Sequence, residues 1–366
     1  MRKTLLAVGT LLGIVALAAC GSSSSSSSST AAAAATGSSS RSATAATSTT
    51  ASAAASSGKV CAKKETVGIV DLIAESPIDA KSDAMAELAS KDLGWTYHFI
   101  DAAGDPNKME QAVQGFVNQH VNLIIDVSID AAPIRVGLQA AKAAHIPVFE
   151  VNSGNQPSSL LNAAYAENET EMGKILADYI VKTVPSAQIG DLATNLSYAG
   201  ILRENAVKAS VAASGGKAHI AADEQVDLTN PVVNTEKTLT DELTGHPNIN
   251  AVYAVYDNMA VAAASAIRTK QSKAKLYTYF TSASNLNLMR KGEIAAVADA
   301  NLPFGVVVGI DQFLKYAKSG TAFDPNALQK AGGLTYRIVT SPQEVFTNQG
   351  TLAPYLAKWA KEYPCG

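Results

Sequence analysis

Short, nearly continuous apolar runs recur along this chain from Thr66 onward, and between them lie longer stretches whose apolar residues fall at helical spacing. Thr66 to Asp71 is the first run and ends in a carboxylate. Helical sequence follows from Pro77, with Ala84, Leu88 and Leu93 among its apolar positions. Trp95 to Asp101 reads as a second strand. Asp105 and Pro106 then supply a helix N-cap and a first-turn proline. Met109, Ala112, Val113, Phe116 and Val117 give that helix one apolar face. Val121 to Asp126 reads as a third strand, Ala131 to Ala144 as a helix, and Ile146 to Val151 as a fourth strand.

The pattern then restarts. Asn168 with Glu171 is placed like a capping box ahead of Met172, Ile175, Leu176, Tyr179 and Ile180. Strands are expected near 188–192, 219–223, 250–255, 276–280 and 295–300, with helices near 200–214, 231–244, 258–269 and 303–318. Apolar strands alternating with amphipathic helices imply parallel sheets covered on both faces. The expected fold class is therefore α/β, with two Rossmann-like lobes that each carry a parallel sheet. The expected boundaries are an N-terminal lobe over 59–165, a C-terminal lobe over 166–299, a return to the first lobe over 300–334, and a C-terminal tail over 335–366.

Ligands of open α/β sheets bind outside the carboxyl ends of the strands. Here those ends carry Asp71, Asp126, Asn152, Ser153, Asn195, Tyr256, Asp257, Thr281, Ser282 and Asn301. Each has a plainer alternative as a loop residue that caps a helix.

The first 58 residues follow different rules. Arg2 and Lys3 precede an apolar run from Leu5 to Ala19, shorter than the roughly 20 residues that span a bilayer. It ends in Leu17, Ala18, Ala19 and Cys20, which matches the bacterial lipoprotein signal. A signal peptide over 1–19 and lipidation of Cys20 are expected; a plain secretory leader with a chance cysteine is the alternative. From Gly21 to Gly58 every residue is Ser, Ala, Thr or Gly except Arg41. Such a stretch offers no large apolar side chains to offset ordering entropy, and reads as a disordered tether with a span on the order of 35 Å. Export would permit disulfides. Cys61 and Cys365 flank the body, so a bond between them is expected, with two separate thiols as the alternative.

All 32 acidic residues but only 26 of the 29 basic ones lie from Lys59 onward. The body is mildly acidic, which argues against nonspecific nucleic-acid binding. Gly215, Gly216 and Lys217 lack the rest of a phosphate-binding loop, and no GxGxxG or GxSxG occurs. The five histidines, at 98, 120, 145, 219 and 246, form no HxH or HxxxH pair. Asp126 and Asp130 are close in sequence, but Asp130 suits the cap of a helix from Ala131. No constellation supports an enzyme, and neither a cofactor nor a metal is expected.

Several short segments resemble one family: Asp101 to Pro106 before a helix, Ile146 to Val148, Glu167 with Asn168, His246 with Pro247, and Asn250 to Ala260. Together they are similar to type I periplasmic binding proteins, above all the ribose-binding-like, sugar-type solute receptors of ABC importers, from about Thr66 to Lys318. The resemblance implies two lobes that close on a small polar ligand about a three-segment hinge, near 164–168, 298–301 and 332–335. It implies a monomer at the extracytoplasmic face of the membrane, partnered by the permease subunits of an importer. A sensor subunit for a signalling partner is the alternative, and an extracellular enzyme a more distant one.

Carried onto this chain, the family's ligand-gripping positions fall at Ile78 and Asp79, Asn152 and Ser153, Arg203, Tyr256 and Asp257, Phe280 or Thr281, and Asn301. Aromatic residues expected near Ile78 and an Asp-Arg pair expected at Asn152 and Ser153 are missing. These departures argue against ordinary ribose or galactose as the ligand.

Overall fold

The computed structural model describes residues 59–154, 158–342 and 347–365. The leader, Cys20 and the Ser/Ala/Thr stretch lie outside the described residues. The first lobe runs β1 (Thr66–Asp71), α1 (Asp79–Leu93), β2 (Thr96–Asp101), α2 (Pro106–Asn118), β3 (Leu123–Val127), α3 (Arg135–Ala143), β4 (Val148–Val151) and the short β5 (Ala163–Ala164). Its strands lie in the order β2-β1-β3-β4-β5, and every pairing is parallel. β3 and β4 are buried throughout, as strands covered on both faces must be, whereas β2 at the edge is largely accessible.

The second lobe continues with α4 (Glu169–Thr183), β6 (Ala187–Ala193), α5 (Tyr198–Ala213), β7 (Ala218–Gln225), α6 (Pro231–Gly245), β8 (Ala251–Ala254), a 3-10 turn over Asp257–Met259, α7 (Ala260–Thr269), β9 (Lys275–Tyr279), α8 (Ala283–Arg290) and β10 (Ile294–Ala300). The chain then returns to the first lobe as α9 (Pro303–Ser319) and the short α10 (Ala327–Lys330). It re-enters the second as β11 (Tyr336–Val339) and ends in α11 (Asn348–Glu362). The second sheet has the order β11-β10-β9-β8-β6-β7, with β11 alone antiparallel to its neighbour.

Local signals placed these elements. The Asp105 carboxylate accepts from Asn107 N at 2.8 Å ahead of Pro106, and Asn168 Oδ1 accepts from Glu171 N at 3.1 Å. The helix expected from Ala131 begins instead at Arg135, because Pro133 disfavours helical backbone at the residue before it. Asp130 is therefore not its cap.

The larger correction concerns 335–366. This stretch is not a tail: it contributes β11 to the second sheet, and α11 packs on the first lobe through Leu352 and the fully buried Trp359. Trp359 Nε1 donates to Asp311 at 2.9 Å. The chain consequently passes between lobes four times: at the three expected places, and again between β11 and α11. Cys61 and Cys365 form a disulfide with Cα atoms 5.0 Å apart, beside an antiparallel bridge between Val60 and Pro364. Both ends of the body are thus fixed to the first lobe.

Core residues cover both faces of the first sheet, Trp95, Phe149 and Phe313 on one and Met109, Val113 and Phe116 on the other. The second lobe has its own cluster, and Ile73 and Ile78 of the first lobe belong to it together with Val226 and Leu228. The two lobes therefore share one apolar cluster.

Candidate functional site

The carboxyl ends of β1, β3 and β4 face those of β6, β8 and β9 across the space between the lobes. From the first lobe, α1 starts there because Ser76 and Pro77 turn the chain, which places Asp79 in the first helical turn. Asp79 Oδ1 accepts from Ser128 Oγ at 2.7 Å and from Asn152 Nδ2 at 3.2 Å. The Asn152 amide also donates to Ser82 Oγ at 2.9 Å. Asn152 sits at φ 68°, a left-handed conformation that asparagine tolerates better than most residues, and this turns its amide toward α1.

The second lobe supplies Tyr256 and Asp257 directly after β8. Asp257 Oδ1 accepts from Ser76 Oγ across the cleft at 3.3 Å, and its Oδ2 is buried without a donor. Burial pushes the Asp257 carboxyl up to about 7, and nearby Asp79 adds to the shift. Burial raises Asp79 itself, opposed by its hydrogen bonds. Asp71 at the end of β1 and Asp126, one residue before the end of β3, are raised well above the ordinary carboxylate range, chiefly by burial; each keeps one buried oxygen without a donor. Two more contacts close the cleft. Lys81 Nζ donates to the Thr281 carbonyl at 2.9 Å, and Tyr198 N, at the start of α5, donates to Asp130 Oδ2 at 2.9 Å. The site is thus a closed, carboxylate-rich seam with one lysine bridging it.

Arg203 stands behind this seam and is 1% exposed. Its Nε and Nη2 reach the Glu169 carboxylate, Nη2 also reaches Glu167 at 3.2 Å, and Nη1 donates to the Val255 carbonyl at 3.0 Å. Its guanidinium lies 4.5–5.2 Å from the ring centres of Tyr256, Tyr279 and Phe280. Burial works against its charge, but Glu169, Tyr256 and Glu167 outweigh it. α4 and α5 come this close because residue 173 is glycine: a Cβ there would lie 2.6 Å from the Arg203 carbonyl. Four of the five guanidinium N–H groups are therefore spent inside the protein, holding the first crossing to the second lobe.

The other expected residues are distributed unevenly. Ile78 packs into the second lobe's core. Ser153 turns back to hydrogen-bond the Glu150 carboxylate, away from the seam. Thr281 Oγ1 and N both donate to Asp299 at 3.1 Å, which leaves its carbonyl for Lys81. Ser282 caps α8, and Asn195 is exposed on the loop after β6. Asn301 Nδ2 donates to Thr351 Oγ1 of α11 at 3.1 Å, so it serves a crossing. Ser76, Lys81, Ser82, Ser128 and Asp130 join Asp79, Asn152, Tyr256 and Asp257 at the seam. Lys81 and Ser82 follow Asp79 within one helical turn, a proximity the sequence did display.

Two doubly wound lobes, joined by several crossings and meeting at the carboxyl ends of their strands, define a hinged receptor for a small solute. The chain belongs to the periplasmic binding protein domain family, which it matches over residues 74–311. The members of this family are solute-binding receptors and not enzymes, and so is this chain. It is 24% identical over 207 residues to the ribose import binding protein of Escherichia coli, covering 56% of this chain and 69% of that protein. It is 24% identical over 215 residues to the Bacillus subtilis protein of the same name, covering 57% and 67%. Among solved structures it is similar to a galactofuranose binding protein, with TM-score 0.66, 21% identity and coverage of 82% and 99% of the two chains. It is also similar to a Caulobacter myo-inositol binding protein, with TM-score 0.68, 19% identity and coverage of 76% and 93%. Among the described residues no helix is long and apolar enough to cross a membrane.

Proposed function

We infer that this protein is the receptor of an ABC importer and captures a sugar, polyol or related polyhydroxyl compound between its lobes. The observation that carries this reading is the pairing of Asp79, held by Ser128 and Asn152, with Asp257 of the opposite lobe. Carboxylates accept strongly from hydroxyl groups, and the seam keeps buried oxygens of Asp71 and Asp257 without donors. A ligand rich in hydroxyls supplies those donors, and contact with both lobes favours closure over opening. Tyr256 gives the C–H face of such a ligand an aromatic wall. Asp71, Asp79, Asn152, Tyr256 and Asp257 are the ligand contacts in this reading. Ile78, Ser153, Asn195, Thr281 and Asn301 shape or flank the cleft, and Arg203 braces it from behind.

The anchor belongs to the same reading. Cys20 carries lipid after removal of residues 1–19, and the stretch to residue 58 tethers a monomeric body at the outer face of the membrane, beside the permease subunits. A thermal-shift screen of sugars, cyclitols and linear polyols, followed by calorimetry of the hits, tests the function. Binding of a polyhydroxyl compound that Asp257→Asn weakens at least tenfold is the expected result. A screen in which only ligands without hydroxyl groups bind would overturn it.

A further inference from the structure

A second group of carboxylates lies in the other layer of the second lobe and has no part in the seam. Asp191 of β6 and Asp223 of β7 are directly paired in the parallel register, so their side chains share one face of the sheet edge. Glu204 of α5 packs over the same place, and one carboxylate oxygen from each of the three lies within 4.8 Å of the others. Like charges directly opposite on neighbouring strands destabilise a sheet unless something stands between them. Lys208 is a partial answer: its ammonium reaches Glu204, one turn earlier on α5, and Asp223 Oδ2 at 2.7 Å. It does not complete the neutralisation. Asp191 is 0% exposed, and neither of its oxygens has a hydrogen-bond partner among the described residues. A fully buried carboxylate with both oxygens unpaired, aimed at two further carboxylates, is costly to ionise unless a cation joins it.

We propose that Asp191, Glu204 and Asp223 form a binding site for a hard divalent cation of the Ca²⁺ class. Three ionised carboxylates carry more negative charge than the single Lys208 ammonium offsets, and a divalent ion supplies the larger counter-charge. The donors are all oxygen, the set that selects Ca²⁺, Mg²⁺ or Mn²⁺ over softer metals. Three carboxylates drawn from three elements suit the irregular oxygen shell that Ca²⁺ accepts better than the near-ideal octahedron that Mg²⁺ demands. Asp223 is exposed, so the site has an entry side from solvent, where water fills the remaining coordination positions. Histidine spacing in the sequence does not reveal it, because its three ligands come from three elements and are all carboxylates. When the ion enters, the Lys208 ammonium swings out to solvent, which its partly exposed side chain permits. The ion then ties α5 to the β6–β7 edge one residue after Arg203, the brace of the first crossing.

The test is calorimetric titration of the chelator-treated full chain with CaCl₂ and, separately, MgCl₂, each paired with thermal melts. The expected result is saturable Ca²⁺ binding with a raised melting temperature, tighter than Mg²⁺ by tenfold or more. Asp191→Asn and Asp223→Asn should each weaken it at least tenfold, and Lys208→Met should tighten it by removing the competing ammonium. Asp223→Asn, an exposed position, decides the matter if Asp191→Asn does not fold. Absence of Ca²⁺ binding overturns the proposal, as does binding that Asp223→Asn leaves within twofold of the wild type, which would place the ion elsewhere. Tighter binding of Mg²⁺ overturns the assignment to the Ca²⁺ class.

Discussion

Replacing Arg203 by methionine keeps most of its apolar volume and removes its charge. The substitution leaves Glu167 and Glu169 buried, each less than 2% exposed, without the guanidinium that both now touch. Breaking a buried ion pair from one side costs about 3–5 kcal/mol. Spread over the unfolding entropy of a lobe of roughly 150 residues, that is a fall in melting temperature on the order of 10 °C. The family resemblance alone leads to a different expectation, a loss of ligand affinity with the fold intact.

The pH dependence separates the two outcomes. In the variant, burial holds the Glu169 carboxyl above its unfolded pKa with no guanidinium to oppose it, so the folded state binds more protons than the unfolded one. Its deficit therefore grows as pH rises and shrinks toward pH 5. Adding Glu169→Gln should restore more than half of the lost stability at pH 7.5, because the uncompensated charge is then gone. Calorimetric melts of wild type, Arg203→Met and the double variant at pH 5 and 7.5 make the measurement. A single variant that melts within 2 °C of wild type at both pH values, while losing ligand affinity, would refute the brace and return Arg203 to the ligand.

Asp257→Asn should flatten the pH dependence of stability: the folded carboxyl titrates near 7 and the unfolded one near 4, so wild-type stability falls as pH rises between those values and levels above them. Melts from pH 4.5 to 8.5 check this; parallel profiles would count against the buried carboxyl. Tyr256→Ala should weaken ligand binding by about 1–2 kcal/mol through lost aromatic contact, read by calorimetry with the screened ligand. Cys365→Ser should speed amide exchange over α11, with a stability loss whose ceiling is about 5 kcal/mol for so long a loop; unchanged exchange would mean that Leu352 and Trp359 suffice. Cys20→Ala should move the protein from the membrane to the soluble fraction, and retention at the membrane would refute the lipid anchor.

Periodicity carried the alternating βα architecture well, because β1, β3, β4 and β8 are short apolar runs that only a covered parallel sheet explains. It failed where local chemistry contradicts the tertiary outcome. Pro354 and Gly350 lie inside α11 and weaken any reading of it as a helix; Trp359 seated against Asp311 overrides them. β11 is an antiparallel strand in a parallel fold, so no βα rhythm announces it. At the site, strand ends were legible as a set, but their division of labour was not. Thr281 and Asn301 are polar strand-end residues like Asn152, yet Asp299 and Thr351 engage them. Those partners lie 18 and 50 positions away in sequence, beyond what spacing can express. Asp130 looked like a cap and instead meets the N-terminus of α5 from the opposite lobe, a contact that exists only when the lobes are together.

The pinning of both ends of the body has a mechanical consequence. Val60 pairs with Pro364, and Cys61 is bonded to Cys365, so tension transmitted along the chain into Lys59 meets a covalent knot at once. The load spreads from there through α11 into the first lobe and bypasses all four crossings. A pull from the N-terminal side would therefore leave the opening and closing motion of the lobes unbiased, with the second lobe free to swing as a lever on an anchored base.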